Sequence, residues 1–197
     1  MVEASKSART RQRILDATAH VLSIKGYSGT RLADIAEHAQ VQAPAIYYYF
    51  PSREDVIEEV MWAGIARMRS HVKEVLSGLT PEAGPLDRIE AAVEAHLRHE
   101  LEISDYTRAA IRNAGQLPEK IQSRQLTEAR KYADLWRMLI ADAAVAGELR
   151  PDLDPRAARL LILGALNWAV EWWNPRRGPL DVIVHTAQSL VRHGLSA

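Results

Sequence analysis

The sequence of 197 residues contains no cysteine. That excludes disulfides, thiolate metal sites and cysteine nucleophiles together, and it fits a reducing, cytoplasmic setting. A single phenylalanine leaves aromatic bulk to tyrosine and tryptophan. No apolar run approaches the ~18 residues that span a bilayer, and the opening MVEASKSARTRQR lacks a secretory apolar core. A soluble, unexported protein without a membrane partner is the expectation. Net charge is missing too: 25 cations face 25 anions, which excludes a polyanion-binding tail or a basic coat. Sustained alternation of apolar and polar residues is absent, so half-buried strands are not predicted. There is no G-x-S-x-G, no phosphate-binding glycine loop and no dinucleotide fingerprint. No catalytic residue, metal site or cofactor is therefore assigned.

What is present is helical spacing nearly everywhere, in a chain that is 47% apolar and so globular. The spacing predicts an all-α protein of about nine helices. Ile14, Leu15, Thr18, Val21 and Leu22 stripe a first helix, which Gly26 should stop. Thr30 is placed to cap a short second helix. A third runs from Ala43 to Tyr49 with Pro44 in its first turn. Ser52 caps a fourth, striped by Val56, Ile57, Val60, Met61, Ile65, Met68 and Val72. Gly78, Pro81, Gly84 and Pro85 make the clearest break. A fifth helix spans Leu86 to Glu102, a sixth follows Ser104, and Pro118 opens a long seventh. Asp154 and Pro155 start an eighth, apolar nearly all round and so expected to be buried on several sides. The ninth ends at Gly194.

Neutrality hides an asymmetry: residues 1–53 carry seven cations and four anions, and the remainder carries 18 and 21. A positive end on a neutral protein points to a local polyanion contact. The last two of the three opening helices have helix-turn-helix spacing, which would offer the third helix to a DNA major groove about 12 Å wide. Ile46 and Phe50, four apart, form that helix's buried side with Val41 beside them. Ala43 and Ala45 permit close approach, and Gln42 can both donate and accept at base edges. Tyr47, Tyr48 and Tyr49 point about 100° apart, so they cannot all be core.

The segment GYSGTRLADIAEHAQVQAPAIYYYFPSREDVIEEVM resembles the TetR family signature. A T-x-x-x-x-I-A helix precedes V-x-x-x-x-x-Y-x-x-F and a basic residue, and the match covers residues 10–62, about a quarter of the chain. The resemblance implies a homodimeric transcriptional regulator, usually a repressor, that binds a palindromic operator and whose C-terminal domain binds a small effector. It implies a DNA-binding domain over residues 1–53 and an effector and dimerisation domain over 54–197. Carried over by position, Tyr47, Tyr49 and Arg53 would touch phosphates. Thr30 and Arg31 would sit at the DNA backbone, and Gln42, Ala43, Pro44 and Tyr48 would face base edges. Two departures stand out. Gln40 occupies a position where the family usually has glycine, which costs on the order of 1 kcal/mol if the turn is left-handed. Tyr49 stands where histidine is common. Arg9, Arg11 and Arg13 are either a solvated helix face or an arm reaching DNA.

Five tryptophans are the other conspicuous feature. Trp136, Trp168 and Trp172 are candidates to line an apolar effector cavity or a dimer interface, beside the alternative of plain core filling. Asn167 and Glu171 add polar groups to the eighth helix. The tail, PDLDP followed by W-x-x-x-W-W-N-P-R-R-G-P-L, resembles regulators of lipid and steroid degradation that respond to acyl-CoA thioesters. On that resemblance the effector is elongated and anionic, with Arg176 and Arg177 as phosphate contacts or, more plainly, as helix-end charges. The resemblance also assigns the last two helices to a four-helix dimer interface, suited by Val182, Ile183, Thr186, Ala187, Leu190 and Val191. His96, His99 and Glu100 share one helical segment without the spacing of a metal motif. They read as surface or pocket histidines. A DNA-binding regulator without a small effector, and a helical enzyme or carrier using the C-terminal cavity, are the competing functions. Steep salt dependence of DNA affinity separates the last from the others.

Overall fold

The computed structural model describes residues 6–196. The first five residues, part of the opening judged to lack a secretory core, lie outside the described residues, as does Ala197. Among the described residues the chain forms nine α-helices: α1 (Lys6–Gly29), α2 (Leu32–Ala39), α3 (Ala43–Tyr49), α4 (Arg53–Ser77), α5 (Pro85–Arg98), α6 (Asp105–Arg112), α7 (Ser123–Val145), α8 (Pro155–Trp172) and α9 (Leu180–Leu195). A π-helical turn, His99–Ile103, follows α5, and a 3-10 turn, Glu119–Ile121, precedes α7. No strand occurs among these residues, only one isolated bridge between Leu149 and Ser196. The all-α expectation is met.

The chain divides into two compact units. One comprises residues up to Ile65 together with Ser104–Glu128, and the other Ala66–Ile103 together with the segment from Ala129 onward. The divisions fall inside α4, between the π turn and α6, and inside α7.

In the first unit the α1 stripe is buried as predicted, at Ile14, Leu15, Thr18, Val21 and Leu22. It packs on Ile35, Ala36 and Ala39 of α2 and on α6. Val56, Ile57, Val60 and Met61 of α4 are also sealed in this core. Helix α6 is tied to α1 by polar bonds at both ends. The Tyr106 hydroxyl donates to Asp16 Oδ1 at 2.7 Å, and Asn113 Oδ1 accepts from the Tyr27 N–H at 2.7 Å. Helix α4 passes α6 at Gly64. A Cβ there would lie 2.2 Å from the Tyr106 carbonyl oxygen, so only glycine lets the backbones approach this closely.

Two helix ends differ from expectation. Helical geometry does break at Gly26 (φ 70°, ψ 175°), but the chain adds a further turn to Gly29 before leaving. Thr30 is not the cap of α2. Its hydroxyl donates back to the Gly26 carbonyl at 2.7 Å, and Arg31 occupies the cap position without a side-chain bond. The Gly26 carbonyl accepts from both the Thr30 N–H, at 3.1 Å, and the Thr30 hydroxyl, so Thr30 closes the end of α1 instead of opening α2. By contrast Ser52 and Asp154 cap their helices as expected, and Ser104, which the sixth helix follows, does the same, each accepting from a backbone N–H three residues on.

In the second unit α5 packs against α9. Arg192 bonds both Asp87 and Glu90, and Arg98 Nη2 reaches Asp181 at 2.6 Å. The Arg192 bond, together with the Gly84 N–H, holds the Asp87 carboxyl below the usual carboxylate range. Ile89, Val93, Leu97, Trp136, Ile140 and Ala143 form the core. Helix α8 corrects the sequence reading. Only Leu166 and Ala169 of it are buried, while Leu161 is 74% exposed. A helix apolar all round need not be covered by its own chain; a second chain is the other way to cover it.

Candidate functional site

Helix α2 ends in a tight left-handed turn. Gln40 has φ 54° and ψ 47°, the sole non-glycine residue with positive φ among the described residues. The Gln40 N–H bonds the Glu37 carbonyl and the Val41 N–H the Ala36 carbonyl. This double bond pattern is the helix ending that glycine normally supplies. The departure noted in the sequence therefore lies on the strained residue of the turn that aims α3.

Gln42 then precedes α3, whose N-cap it occupies without a side-chain bond. Ile46 and Phe50 are buried, as predicted, and Val41 is half-buried. The opposite side is open: Tyr48 is 82% and Tyr47 57% exposed. Gln42 and Pro44 are exposed, and Ala43, Ala45 and Tyr49 are half-buried. The Tyr48 and Tyr49 rings meet edge to face at 5.1 Å. Large aromatics standing in water beside small residues form a contact surface. Its width is one short helix, its hydroxyls and amide can donate and accept, and no carboxylate lies among these α3 residues to repel phosphate.

The basic residues around it are not equivalent. Arg31 is exposed. Arg53 is turned inward: Nε donates to the Thr30 carbonyl at 2.7 Å, Nη2 bonds the Tyr27 carbonyl, and the guanidinium lies 4.5 Å from the Tyr27 ring centre. Thr30 itself is 1% exposed. The structure thus places Thr30 and Arg53 in the joint behind α3, not on its open face. Arg11 likewise pairs with Glu59 and stacks over Phe50 at 4.8 Å. It belongs to a packed helix, not to an arm.

The effector candidates do not converge. Trp136 is wholly buried, whereas Trp168 is 64% exposed and Trp172 is exposed with it. Asn167 is half-buried, and Glu171, Arg176 and Arg177 lie at the surface at the end of α8 and in the following loop. The eighth helix is expected to be buried on several sides, and Glu171 departs from that by standing in solvent. Trp136 instead sits with groups that the sequence reading left aside. His96 and Glu100 are almost fully buried, and His96 Nε2 lies 3.2 Å from Glu100 Oε2. His96 Nδ1 meets the Tyr132 hydroxyl at 2.8 Å, and Tyr132 packs edge-on against Trp136. Burial pushes the Tyr132 hydroxyl well above the usual tyrosine range. His99 stacks on His71 with ring centres 4.7 Å apart. Burial, reinforced by His71, His96 and Arg67, lowers His99 to about 4. The signal existed in the sequence: His96 and Glu100 continue the stripe of Ile89 and Val93.

A separate open groove of about 560 Å³ runs over the second unit. Leu76, Leu135, Met138 and Leu139 line it together with Arg69, Lys73, Arg88 and Lys131.

A buried positioning helix, a tight turn and a second helix with an exposed polar and aromatic face define a helix-turn-helix protein. Residues 14–60 match the model of the bacterial regulatory proteins of the tetR family, and residues 82–195 match the tetracyclin repressor-like C-terminal domain. The chain belongs to the tetR family of transcriptional regulators, in which homodimers are typical. It is 25% identical over 191 residues to the fatty acid metabolism regulator protein of Bacillus subtilis, covering 93% of this chain and 94% of that one. It is 26% identical to the transcriptional repressor KstR2 of Mycolicibacterium smegmatis, covering 90% and 85%. The fold also matches AibR, solved with isovaleryl coenzyme A and operator DNA, at a TM-score of 0.81 and 20% identity, over 92% and 96% of the two chains.

Proposed function

We propose that this chain is a homodimeric repressor that binds a palindromic operator through α3 and leaves it when an acyl-CoA-like effector binds the second unit. The exposed face of α3 carries the proposal. Gln42, Ala43, Pro44 and Tyr48 read base edges, Tyr47, Tyr49 and Arg31 hold phosphates, and Thr30 and Arg53 fix the turn from behind. Phosphate contacts set affinity and register, and base contacts set sequence choice. Two copies related by a twofold axis present two α3 helices about one DNA turn, roughly 34 Å, apart.

The dimer reading is supported by the bare apolar face of α8 and α9, where Leu160, Leu161, Trp168, Trp172, Val182 and Leu190 are exposed in the single chain. Burying such a face in a second copy removes it from water. The effector reading is supported by the relatives. The B. subtilis relative is a fatty acid metabolism regulator, and AibR was solved with an acyl-CoA. Release is a matter of differential affinity. Helix α4 belongs to both units, so an effector preferring a different tilt of α4 changes the spacing of the two heads. It must bind that state better by a few kcal/mol to empty the operator.

The test begins by selecting the operator from a random-sequence DNA library. Fluorescence anisotropy then follows the wild type, Tyr48→Ala and Arg31→Ala. Loss of tenfold or more in affinity, about 1.4 kcal/mol, is expected for each. Unchanged affinity in both sinks the head assignment. Trp168→Glu should convert the dimer to monomer in sedimentation.

A further inference from the structure

We propose that Arg11 is a positioning residue for the reading helix: its guanidinium, held by Glu59 of α4, clamps the Phe50 ring and so fixes the angle at which α3 meets the operator. The inference rests on the reading of α3 given above.

Helix α3 has 7 residues, too few to hold a direction alone. Its entry is set by the turn at Gln40, and Ile46 is its one buried side chain. Its exit is set by Phe50, the C-cap residue, whose N–H bonds the Ile46 carbonyl at 2.9 Å and whose side chain is 3% exposed. Arg11 of α1 lies over that ring, with the guanidinium carbon 4.8 Å from the ring centre. The same guanidinium pairs with Glu59 of α4 through Nη2 and Oε2. Three helices therefore meet at one side chain. Their spacing explains the meeting. Arg11 lies three residues before the buried Ile14, and Glu59 three after the buried Val56, so both stand at the rim of the core. Arg9 and Arg13, the other arginines of this segment, are exposed. The Arg11 and Glu59 side chains are 42% and 23% exposed, and an ion pair so placed adds little to stability. Geometry is what it supplies. A guanidinium is flat, so it can stack on an aromatic face while its edge bonds a carboxylate, and an ammonium has no such plane. Base contacts carry the sequence choice, so loss of the angle falls on operator affinity more than on affinity for unrelated DNA.

Charge and aim predict opposite signs in Glu59→Gln. That change removes an anion from a DNA-binding head and releases a cation, so charge alone tightens binding to any DNA. Loss of aim weakens binding to the operator. Fluorescence anisotropy of the full chain compares the operator selected from the random library with a scrambled duplex over a salt series, under conditions where urea unfolding shows each variant folded. Operator affinity should fall by about fivefold or more in Glu59→Gln and in Arg11→Lys, on the scale of one base contact. Affinity for the scrambled duplex should hold or rise, and the salt slope of Arg11→Lys should stay that of wild type. Unchanged or tighter operator binding in Glu59→Gln overturns the proposal. So does an Arg11→Lys protein that binds like wild type, which would make Arg11 a plain charge, and so does an equal loss on both duplexes. If one variant does not fold, the other decides. Tyr48→Ala keeps the two readings apart. If it weakens operator binding and Glu59→Gln does not, the clamp falls and the reading of α3 stands. If it binds like wild type, α3 is not the reading helix and both fall.

Discussion

The two units treat buried polar groups in opposite ways. Around α1 and α6 almost every one is matched. Asn113, fully buried, accepts from the Tyr27 N–H and donates to the Leu22 and Ala109 carbonyls. Thr18 donates to Ile14 and Thr107 to Gly64, leaving Gln125 Oε1 as the exception. In the second unit, both ring nitrogens of the buried His99 have no hydrogen-bond partner. A reading head gains from one fixed shape, because base contacts tolerate little misplacement. Saturation around α1 and α6 fits that need, and the deficit at His99 has its consequence in acid.

The sharpest way to break the contrast is to spoil the packing of the first unit. Gly64→Val puts a branched side chain where even a Cβ meets the Tyr106 carbonyl at 2.2 Å and Ala110 Cβ at 2.7 Å. Backbone cannot yield as a side-chain tip can. Urea unfolding should show a loss of about 3 kcal/mol or more. A variant as stable as wild type would mean that α4 and α6 do not cross as closely as described.

Next in size is a pH effect belonging to the second unit. His99 titrates at about 4 in the fold and near 6.5 when exposed. Between those values the unfolded chain binds more protons, so acid favours unfolding. The stability contributed by neutral His99 is present above pH 6.5 and is lost as pH falls toward 4. The full change is about 3 kcal/mol at most, from the two pKa values. Denaturation midpoints from pH 7 to pH 5 should fall, and His99→Leu should flatten the slope. An identical slope in that variant assigns the acid sensitivity elsewhere.

Much of this was legible in the chain because local chemistry decided it. Ser52, Ser104 and Asp154 cap helices through bonds three residues long, and Ile46 and Phe50 are inward because they lie four apart on a short helix. The misreadings came where a distant partner decides. Thr30 has cap chemistry, but the Gly26 carbonyl claims its hydroxyl. Arg53 has phosphate chemistry, but the Tyr27 and Thr30 carbonyls hold it. Periodicity cannot say whether the face of α8 meets its own chain or another, so Trp168, offered for an effector cavity or a dimer interface, stands on the surface of the single chain. His96 and Glu100 misled in the reverse sense. Their charge suggested solvent although their spacing from Ile89 and Val93 indicated the interior.

Arg53 and Arg31 turn that lesson into a measurement within one unit. Arg53→Ala removes two bonds to part-buried carbonyls, the ion pair with Glu54 and the contact with Tyr27, and should cost about 1–2 kcal/mol of stability. Arg31→Ala should leave stability within about 0.5 kcal/mol. It should weaken operator binding and lower the salt slope by about one ion. Equal effects of the two changes on stability would erase the distinction between joint and contact surface.

The smallest effect belongs to Gln40, the one strained residue in an otherwise well-matched head. Gln40→Gly keeps the bonds to Glu37 and Ala36 and removes the Cβ that a left-handed backbone crowds. Glycine brings extra chain entropy to the unfolded state, so the net gain is about 0.5–1 kcal/mol. A rise in urea midpoint with an unchanged denaturant slope is the expected result. Operator affinity decides what the strain does. If affinity holds, the turn only joins α2 to α3. If it falls while stability rises, glutamine is fixing the angle at which α3 meets the groove, and the rigidity of the head extends to its least comfortable residue.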